Sequence, residues 1–201
     1  MMELWLVRHG ETDFNKQGIV QGRGVNSSLN QKGRNQALKF YNKYQNEKFE
    51  KIYTSSLIRT HESVAPFLEA GTEWYQTENL DEISWGIHEG QKSGSTSYRI
   101  FRELVSSWKQ GAIHSSIENG ESPVDVQLRL RKFIELLEQE NHKKVLICSH
   151  GRSMRVLLCT LLNEPLEEMD KYPHHNLCLY RIQRDAHNYS INVFNDISHL
   201  D

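Results

Sequence analysis

The chain has 201 residues, of which 37% are hydrophobic and 25% charged, and its formal net charge is −2 at pH 7. This balance is typical of a soluble globular protein and argues against a general nucleic-acid-binding protein, which would carry a basic excess. No apolar run reaches the roughly 18 residues of a membrane span, and no signal peptide is recognisable. We therefore expect a cytoplasmic protein that binds neither membrane nor nucleic acid, with one domain over residues 1–201.

Short apolar segments alternate with amphipathic segments in the first half of the chain. Strands are predicted at 4–7, 51–54 and 73–77. A helix is predicted over 29–44, with Asn30 in the N-cap position, where its side chain can accept a backbone hydrogen bond. A further helix begins at residue 57, and Pro66 is expected to kink or stop it because proline lacks an amide hydrogen.

The second half begins with a weakly patterned region, 90–120, that we interpret as a lid or insertion with one helix at about 97–109. Ser122 then marks a helix start, because this serine is followed by a proline and, three residues on, by an acid. The remaining predicted elements are a buried strand at 144–148, a helix at 151–162 and a hairpin of strands at 177–182 and 189–195. Strands that alternate with long helices predict βαβ units and an α/β sandwich.

Two of the predicted strands end on a histidine that is followed by glycine. Arg8-His9-Gly10 closes the first strand, and His150-Gly151 follows the buried strand of the second half. Because ligands of open α/β sheets bind outside the carboxyl ends of the strands, both imidazoles are expected at a binding edge. The glycines allow backbone N–H groups to approach a ligand, and the guanidinium adds positive charge, so this edge suits a phosphate group.

The motifs around these histidines resemble the signature of the histidine phosphatase superfamily, which includes cofactor-dependent phosphoglycerate mutases and many small phosphatases. The resemblance follows the family order along almost the whole chain. The matching segments are Arg8-His9-Gly10-Glu11-Thr12 with Asn15, and 28–37, 52–64, 79–90, 147–155 and 175–182. This resemblance implies a three-layer α/β/α sandwich with a mostly parallel central sheet, as in the phosphoglycerate mutases.

The resemblance also implies which residues are catalytic. His9 is expected to be the nucleophile and to form a phosphohistidine, which water then hydrolyses. Arg8, Arg59 and His150 are expected to hold the phosphoryl oxygens, because positioning and charge stabilisation dominate phosphoryl transfer. Glu82 is expected to protonate the leaving alkoxide, either as a buried acid or with a proton taken from the phosphate.

Four further residues are expected to bind substrate. They are Asn15, Gln21, Gly151 and Glu121. Asn15 would act as a neutral donor to the phosphate, and Glu121 is included because its Gly-Glu-Ser context resembles a turn common among the phosphatase members. Two other carboxylates lie near the motifs, and of these Glu11 is expected to serve structure and Glu89 to face solvent.

No metal site is expected from the cysteines and histidines. Cys148, Cys159 and Cys178 lack the spacing of metal ligands and are expected to be buried free thiols. His174 and His175 precede a late strand and could approach the rim of the pocket, but without a third ligand they do not predict a metal site. We expect no cofactor, except that a mutase would need 2,3-bisphosphoglycerate.

The sequence leaves three functions open. A metal-independent phosphomonoesterase acting on a small phosphorylated metabolite is favoured over a phosphoglycerate mutase. Mutases that resemble this chain carry paired arginines after a tryptophan in a longer insertion, whereas here Trp108 is followed by Lys109 and Gln110. A non-catalytic phosphate-binding module is disfavoured because the expected catalytic side chains are all present. Both a monomer and a homodimer are compatible with the sequence.

Overall fold

The computed structural model describes residues 1–92, 96–186 and 188–201, so that 93–95 of the expected lid lie outside the described residues. The strands are β1 (Met2–Arg8), β2 (Lys51–Thr54), β3 (Trp74–Gln76), β4 (Lys144–Ser149), β5 (Leu179–Asp185) and β6 (Asn188–Asp196). The helices are α1 (Asp13–Gln17), α2 (Gln31–Tyr44), α3 (Ile58–Glu69), α4 (Thr96–Trp108), α5 (Pro123–Glu140) and α6 (Gly151–Leu161). The elements predicted from the sequence are present, with ends that differ by a few residues.

β1 lies near the centre of a six-stranded sheet with the strand order β3-β2-β4-β1-β5-β6. Strands β3, β2, β4 and β1 pair in parallel, whereas β5 runs antiparallel to β1 and forms a hairpin with β6. The mostly parallel sheet expected from the sequence is therefore confirmed. In the register of β1 with β4, Arg8 lies opposite Ser149, so both strands end at the same edge of the sheet.

Alternate residues of β1 point to opposite faces of the sheet and enter two separate cores. Leu4 and Leu6 pack with residues of α5 and α6, whereas Trp5 and Val7 pack with residues of α2 and α3. All four side chains are fully buried, which stabilises the fold by about 1.5–3 kcal/mol for each aliphatic side chain. The expected α/β/α sandwich is confirmed, and a register slip of one residue would exchange the two cores.

Side-chain caps define where the helices begin. The Asn30 side chain accepts a hydrogen bond from Gly33 N at 2.9 Å, and Ser122 forms a reciprocal capping box with Asp125. Both predicted helix starts are thereby confirmed. The sequence pattern does not predict α1, which is capped by Thr12, because five residues are too few to show a helical period.

α3 continues past Pro66 and ends at Glu69, so it stops near the proline, as expected, but not at it. A proline inside a helix removes one backbone hydrogen bond, but its own carbonyl group remains an acceptor. The Pro66 carbonyl accepts a hydrogen bond from Ala70 N at 3.2 Å, which closes the last turn. Within the described part of the chain, none of the helices combines the length and the apolar character that a membrane crossing needs.

Candidate active site

The edge of the sheet where β1 and β4 end brings the two predicted histidines together. His9 N donates to Ser149 O at 3.0 Å and so continues the parallel ladder one residue beyond the strands. The ring centroids of His9 and His150 are 5.1 Å apart, and both side chains are almost completely buried. The two His-Gly motifs therefore meet at one corner, as expected for parallel strands that end side by side.

The backbone sets the tautomer of His9. Its Nδ1 lies 2.7 Å from the carbonyl oxygen of Gly10. Because a carbonyl oxygen only accepts, Nδ1 carries the proton and the lone pair of the neutral ring is on Nε2. Burial, reinforced by the positive charges of Arg59 and Arg8, holds the pKa of His9 well below its ordinary value. The ring is therefore neutral at pH 7, with Nε2 available as a nucleophile.

His150 has both ring nitrogens engaged by protein groups. Arg59 donates through Nε to Nδ1 at 3.2 Å, and Nε2 lies 2.7 Å from Ser55 Oγ. Burial and the neighbouring charge of Arg59 hold the pKa of His150 well below its ordinary value, so this ring is neutral as well. His150 is fully buried behind Arg59, so it orients the guanidinium, and a direct contact with a phosphoryl oxygen would require this hydrogen bond to be exchanged.

Arg59 is fully buried and is held by three hydrogen bonds. Besides Nε, its Nη1 donates to Val25 O at 2.6 Å and its Nη2 to Gly22 O at 3.3 Å, which ties the loop after α1 to the site. Burial lowers the pKa of Arg59 to about 10, which leaves the guanidinium charged at neutral pH. A guanidinium has five N–H donors, so two of them remain for a ligand.

Arg8 precedes His9 at the end of β1. Its Nη1 donates to the His174 carbonyl oxygen at 2.8 Å and lies 3.3 Å from Nδ1 of the same histidine. Among the described residues its buried Nε has no hydrogen-bond partner. Burial lowers the pKa of Arg8 from its ordinary value, with the charge of Glu82 opposing the shift. A buried donor without a partner is the arrangement that an incoming anion would satisfy.

His9, Arg8 and Arg59 line a cavity of about 280 Å³, whereas His150 is not part of its lining. With this volume the cavity is at the small end of ligand sites in proteins. Its lining includes three basic residues, Arg8, Arg59 and Arg152, and among the described residues its only carboxylate is that of Glu82. The excess of positive charge suits a phosphate dianion. Among the described residues no group of three or more His, Cys, Asp or Glu is placed to hold a metal ion.

Glu82 is held at the first turn of α6, where the backbone amides lack helical partners. Its carboxylate accepts hydrogen bonds from Arg152 N at 3.1 and 3.2 Å and from Ser153 N at 2.9 Å. The side chain is buried, and its charge acts on both Arg8 and Arg59. The structure therefore places the predicted acid beside the cationic part of the cavity.

Three of the four predicted substrate-binding residues lie on the cavity surface: Asn15, Gln21 and Gly151. The Asn15 carboxamide oxygen accepts from Thr12 N at 3.2 Å, and Gln21 Nε2 donates to Thr12 Oγ1 at 2.7 Å. At Gly151 an added Cβ would lie 3.2 Å from the His174 ring, so the glycine permits the close packing of that ring.

Glu121 does not join the other predicted residues. Its carboxylate accepts hydrogen bonds from Ser84 N and Arg129 Nε, both at 2.9 Å, and it is not part of the cavity lining. This placement argues against the predicted contact with substrate, since the carboxylate instead links the segment of Ser84 to α5. Glu11 serves structure as expected, because it binds Lys32 at 2.7 Å and Asn30 at 3.0 Å.

The expectation that Glu89 faces solvent is wrong. Its carboxylate turns inward and accepts a hydrogen bond from Trp85 N at 2.9 Å. The same carboxylate fits against two glycines of the neighbouring loop, where an added Cβ would come within 2.1 Å at Gly22 and 2.5 Å at Gly24. Glu89 therefore joins the Glu82 segment to the loop that Arg59 holds.

His174 is a site residue whose position the sequence leaves open. It lines the cavity, and burial together with the charge of Arg8 lowers its pKa to about 2. With Nδ1 facing the Arg8 guanidinium, the proton of the neutral ring is on Nε2, which is a donor. The only feature of the sequence that points to His174 is its place in a His-His dipeptide with His175. The three cysteines are free and buried, as expected.

Comparisons with known proteins agree with this geometry. The family model of the histidine phosphatase superfamily (branch 1) matches residues 4–197. The chain is 28% identical to phosphoserine phosphatase 1 of Hydrogenobacter thermophilus, over 84% of this chain and 80% of that protein. It is 27% identical to GpmB of Erwinia tasmaniensis, named as a probable phosphoglycerate mutase, over 100% of this chain and 96% of that one.

Among solved structures, YhfR of Bacillus stearothermophilus superposes with a TM-score of 0.86 at 28% identity, with both chains covered completely. The α-ribazole phosphatase of Shigella flexneri superposes with a TM-score of 0.85 at 25% identity, over 97% of this chain and 96% of that one. These relatives include phosphatases and a mutase, which supports a phosphatase or a mutase activity. The chain belongs to the histidine phosphatase superfamily, branch 1.

Proposed function

We propose that this protein is a phosphomonoester hydrolase that uses His9 as its nucleophile and needs no metal ion. The observation that carries the proposal is the contact of His9 Nδ1 with Gly10 O, which leaves the Nε2 lone pair free in a cavity lined by Arg8 and Arg59. A neutral imidazole beside two guanidinium groups can attack a phosphate dianion without meeting charge repulsion. The arginines supply the positive charge that stabilises the transferring phosphoryl group.

The reaction proceeds in two steps. Nε2 of His9 attacks phosphorus and the ester P–O bond breaks, so the leaving oxygen departs with the electron pair. It receives a proton from Glu82, which takes up that proton from solvent when the substrate dianion binds. Water then attacks the phosphohistidine, the P–N bond breaks, and the electron pair returns to Nε2. The proton lost by this water goes to the Glu82 carboxylate, so inorganic phosphate leaves and the site returns to its starting state.

Hydrolysis is favoured over mutase chemistry by the charges near the cavity. A mutase must hold a second phosphate or a carboxylate of its substrate, which requires additional cations. Arg152 is the further arginine in the cavity lining, and its Nη1 is bound to Asp170 at 2.7 Å. Lys109, which stands where related mutases carry arginine, lies 3.4 Å from the same carboxylate. Asp170 therefore partly neutralises both cations, which weakens their attraction for a second anionic group.

Turnover of p-nitrophenyl phosphate in the presence of EDTA tests the proposal. We expect phosphate release by the parent chain and its loss in the His9→Asn variant, in which the amide can still donate to Gly10 O. Brief incubation with ³²P-labelled substrate should label the parent with an acid-labile, base-stable phosphate and leave the variant unlabelled. Equal activity of the two proteins would contradict the assignment of His9.

A second assay separates the hydrolase from a mutase. The protein is incubated with 3-phosphoglycerate, with and without 2,3-bisphosphoglycerate, and both free phosphate and 2-phosphoglycerate are measured. We expect no stimulation by the bisphosphate. Formation of 2-phosphoglycerate that depends on the bisphosphate and exceeds phosphate release would establish the mutase instead.

A further inference from the structure

One wall of the active-site cavity is built from aromatic rings. Trp85, Tyr98 and Phe101 line the same cavity as the groups proposed to bind phosphate. The Phe101 ring meets Trp85 edge to face at a centroid distance of 4.6 Å and stacks on Tyr98 at 5.7 Å. Trp108 is buried and stacks on Trp85 at 5.7 Å, which supports the wall from within the protein. The rings form a preformed apolar platform.

Aliphatic side chains add to the apolar character of this cavity. Ile19 and Val20 belong to the lining and follow α1 along the chain. Val20 N donates to Gln91 O at 3.0 Å, and Gly90 N donates to Val20 O at 2.9 Å. These backbone bonds hold the loop after α1 against the segment that precedes α4. The alcohol part of a substrate therefore meets aliphatic and aromatic carbon beside the phosphate site.

The cations beyond the phosphate-binding corner are already engaged with a carboxylate of the protein. Glu82 presents a carboxylate to the cavity, and the Arg152 guanidinium is already bound to Asp170 and lies 5.4 Å from the Trp108 ring centroid. Arg155 and Lys109 also approach Asp170, but neither lines the cavity. A substrate carboxylate would share the Arg152 guanidinium with Asp170, so repulsion between the two carboxylates weakens its attraction to this cation.

We propose that the substrate carries a neutral, flat ring, aromatic or heteroaromatic, on the alcohol side of its phosphoester. The ring packs against Trp85, Tyr98 and Phe101 while the phosphate lies between the nucleophile and the arginines. This inference rests on the proposed hydrolase function and adds the class of its substrate. It places compact anionic esters, such as phosphoglycerates, among the poor substrates of this chain.

Binding of non-hydrolysable phosphonates tests the inference without turnover. Isothermal titration with benzylphosphonate, cyclohexylmethylphosphonate and 3-phosphonopropanoate compares a flat ring, a puckered ring and a carboxylate. We expect benzylphosphonate to bind about tenfold more tightly than 3-phosphonopropanoate and about threefold more tightly than the cyclohexyl compound. Equal affinity of the carboxylate compound would overturn the inference, and equal affinity of the cyclohexyl compound would overturn the requirement for a flat ring.

Two substitutions on α4 test whether the aromatic wall causes the preference for benzylphosphonate. Phe101→Ala removes a ring from the wall and should reduce the advantage of benzylphosphonate about fivefold. Ile100→Ala is the matched control, since that side chain is 45% exposed and does not line the cavity. It should leave the preference unchanged. A preference that survives Phe101→Ala in full, or that falls equally in both variants, would show that the wall does not bind the ring.

Measurement of hydrolysis distinguishes a failure of the proposed ring preference from a failure of the proposed hydrolase function. Free phosphate is measured with benzyl phosphate and 3-phosphoglycerate, two alkyl esters. We expect kcat/KM about tenfold higher for benzyl phosphate. Phosphate release from both esters at equal efficiency would overturn the ring preference and leave the hydrolase intact. Absence of release from either ester and from p-nitrophenyl phosphate would overturn both.

Discussion

Arg59 donates a hydrogen bond from Nε to Nδ1 of His150 at 3.2 Å. Because arginine has only donors, this contact keeps the lone pair of the imidazole on Nδ1 and its proton on Nε2. The Nε2–H in turn donates to Ser55 Oγ, which lies 2.7 Å away. Arg59 thus donates to His150, and His150 donates to Ser55, in a chain of hydrogen bonds that begins at a guanidinium of the cavity.

Removal of the Ser55 hydroxyl should weaken catalysis. In Ser55→Ala the buried Nε2–H of His150 loses its acceptor, so the ring no longer fixes the guanidinium of Arg59. We expect kcat to fall about tenfold, consistent with about 1–3 kcal/mol for a buried donor left unsatisfied. The control is Ser149→Ala, which also loses a buried hydroxyl, one that donates to Leu80 O. Loss of activity in both variants alike would contradict a role through His150.

Substitution of Glu82 should affect substrates according to their leaving groups. Glu82→Gln keeps an oxygen that accepts from the amides of α6 but cannot deliver a proton. We expect kcat for an alkyl phosphate to fall about 100-fold, within the range for general acids, and kcat for p-nitrophenyl phosphate to fall far less. Steady-state phosphate release on both esters measures this. An equal fall on both would indicate that Glu82 acts by position alone.

The buried histidines should make stability depend on pH. Burial lowers the pKa of both His9 and His150, whereas in the unfolded chain each has its ordinary value of about 6.5. Below pH 6.5 the unfolded state therefore binds more protons, and stability falls with pH until the lower folded values are reached. Between pH 7.5 and 5.5 each histidine should remove about 1.4 kcal/mol from the free energy of unfolding.

Urea denaturation of the parent and of His9→Asn at both pH values measures the contribution of His9 alone to the free energy of unfolding. The variant should lose about 1.4 kcal/mol less than the parent over this interval, because asparagine takes up no proton. Carboxylates that titrate in the same range cancel in the difference between the two proteins. An identical loss in both would mean that His9 titrates normally in the folded state.

Two glycines with positive φ allow the stability cost of backbone conformation to be distinguished from the cost of a steric clash. Gly86 and Gly90 both have positive φ, at +51° and +78°, but an added Cβ would lie 2.0 Å from Glu118 O at Gly86 and would meet nothing within 4 Å at Gly90. Gly90→Ala should cost about 1–2 kcal/mol, the penalty of the left-handed region alone. Gly86→Ala adds a clash with backbone and should cost more than about 3 kcal/mol by urea denaturation. Equal costs would contradict the contact.

The fold and the catalytic corner could be predicted because their signals are local or follow from strand order. Asn30 and Ser122 cap helices through bonds three residues along the chain, which a sequence window contains. His9 and His150 meet because parallel strands end at one edge. Residue types at strand ends therefore predict that the two histidines share a binding edge, whereas the role of His9 as nucleophile is implied by the family resemblance.

The remaining features depend on contacts that a sequence pattern does not contain. His174 reaches Arg8 across 166 positions of the chain, and no local period indicates that approach. Glu121 is diverted from the cavity by Arg129, and Glu89 turns inward because the adjacent turn presents the free amide of Trp85. The partners of Glu89 and Glu121 lie only 4 and 8 residues away, but a hydrophobic pattern does not show which amide or side chain a carboxylate will meet.

The chemistry and the aromatic wall come from different parts of the chain. His9, the proposed nucleophile, and His150 follow β1 and β4, whose backbones are fixed by pairing within the sheet, whereas Tyr98 and Phe101 belong to a helix outside it. Substitutions on that helix can therefore change which alcohol part of a substrate is bound, while the histidines proposed to act in phosphoryl transfer keep their positions. Because the two groups of residues are separate, proteins of this fold can differ in substrate through this helix alone. When a new specificity is sought, α4 is the segment to randomise.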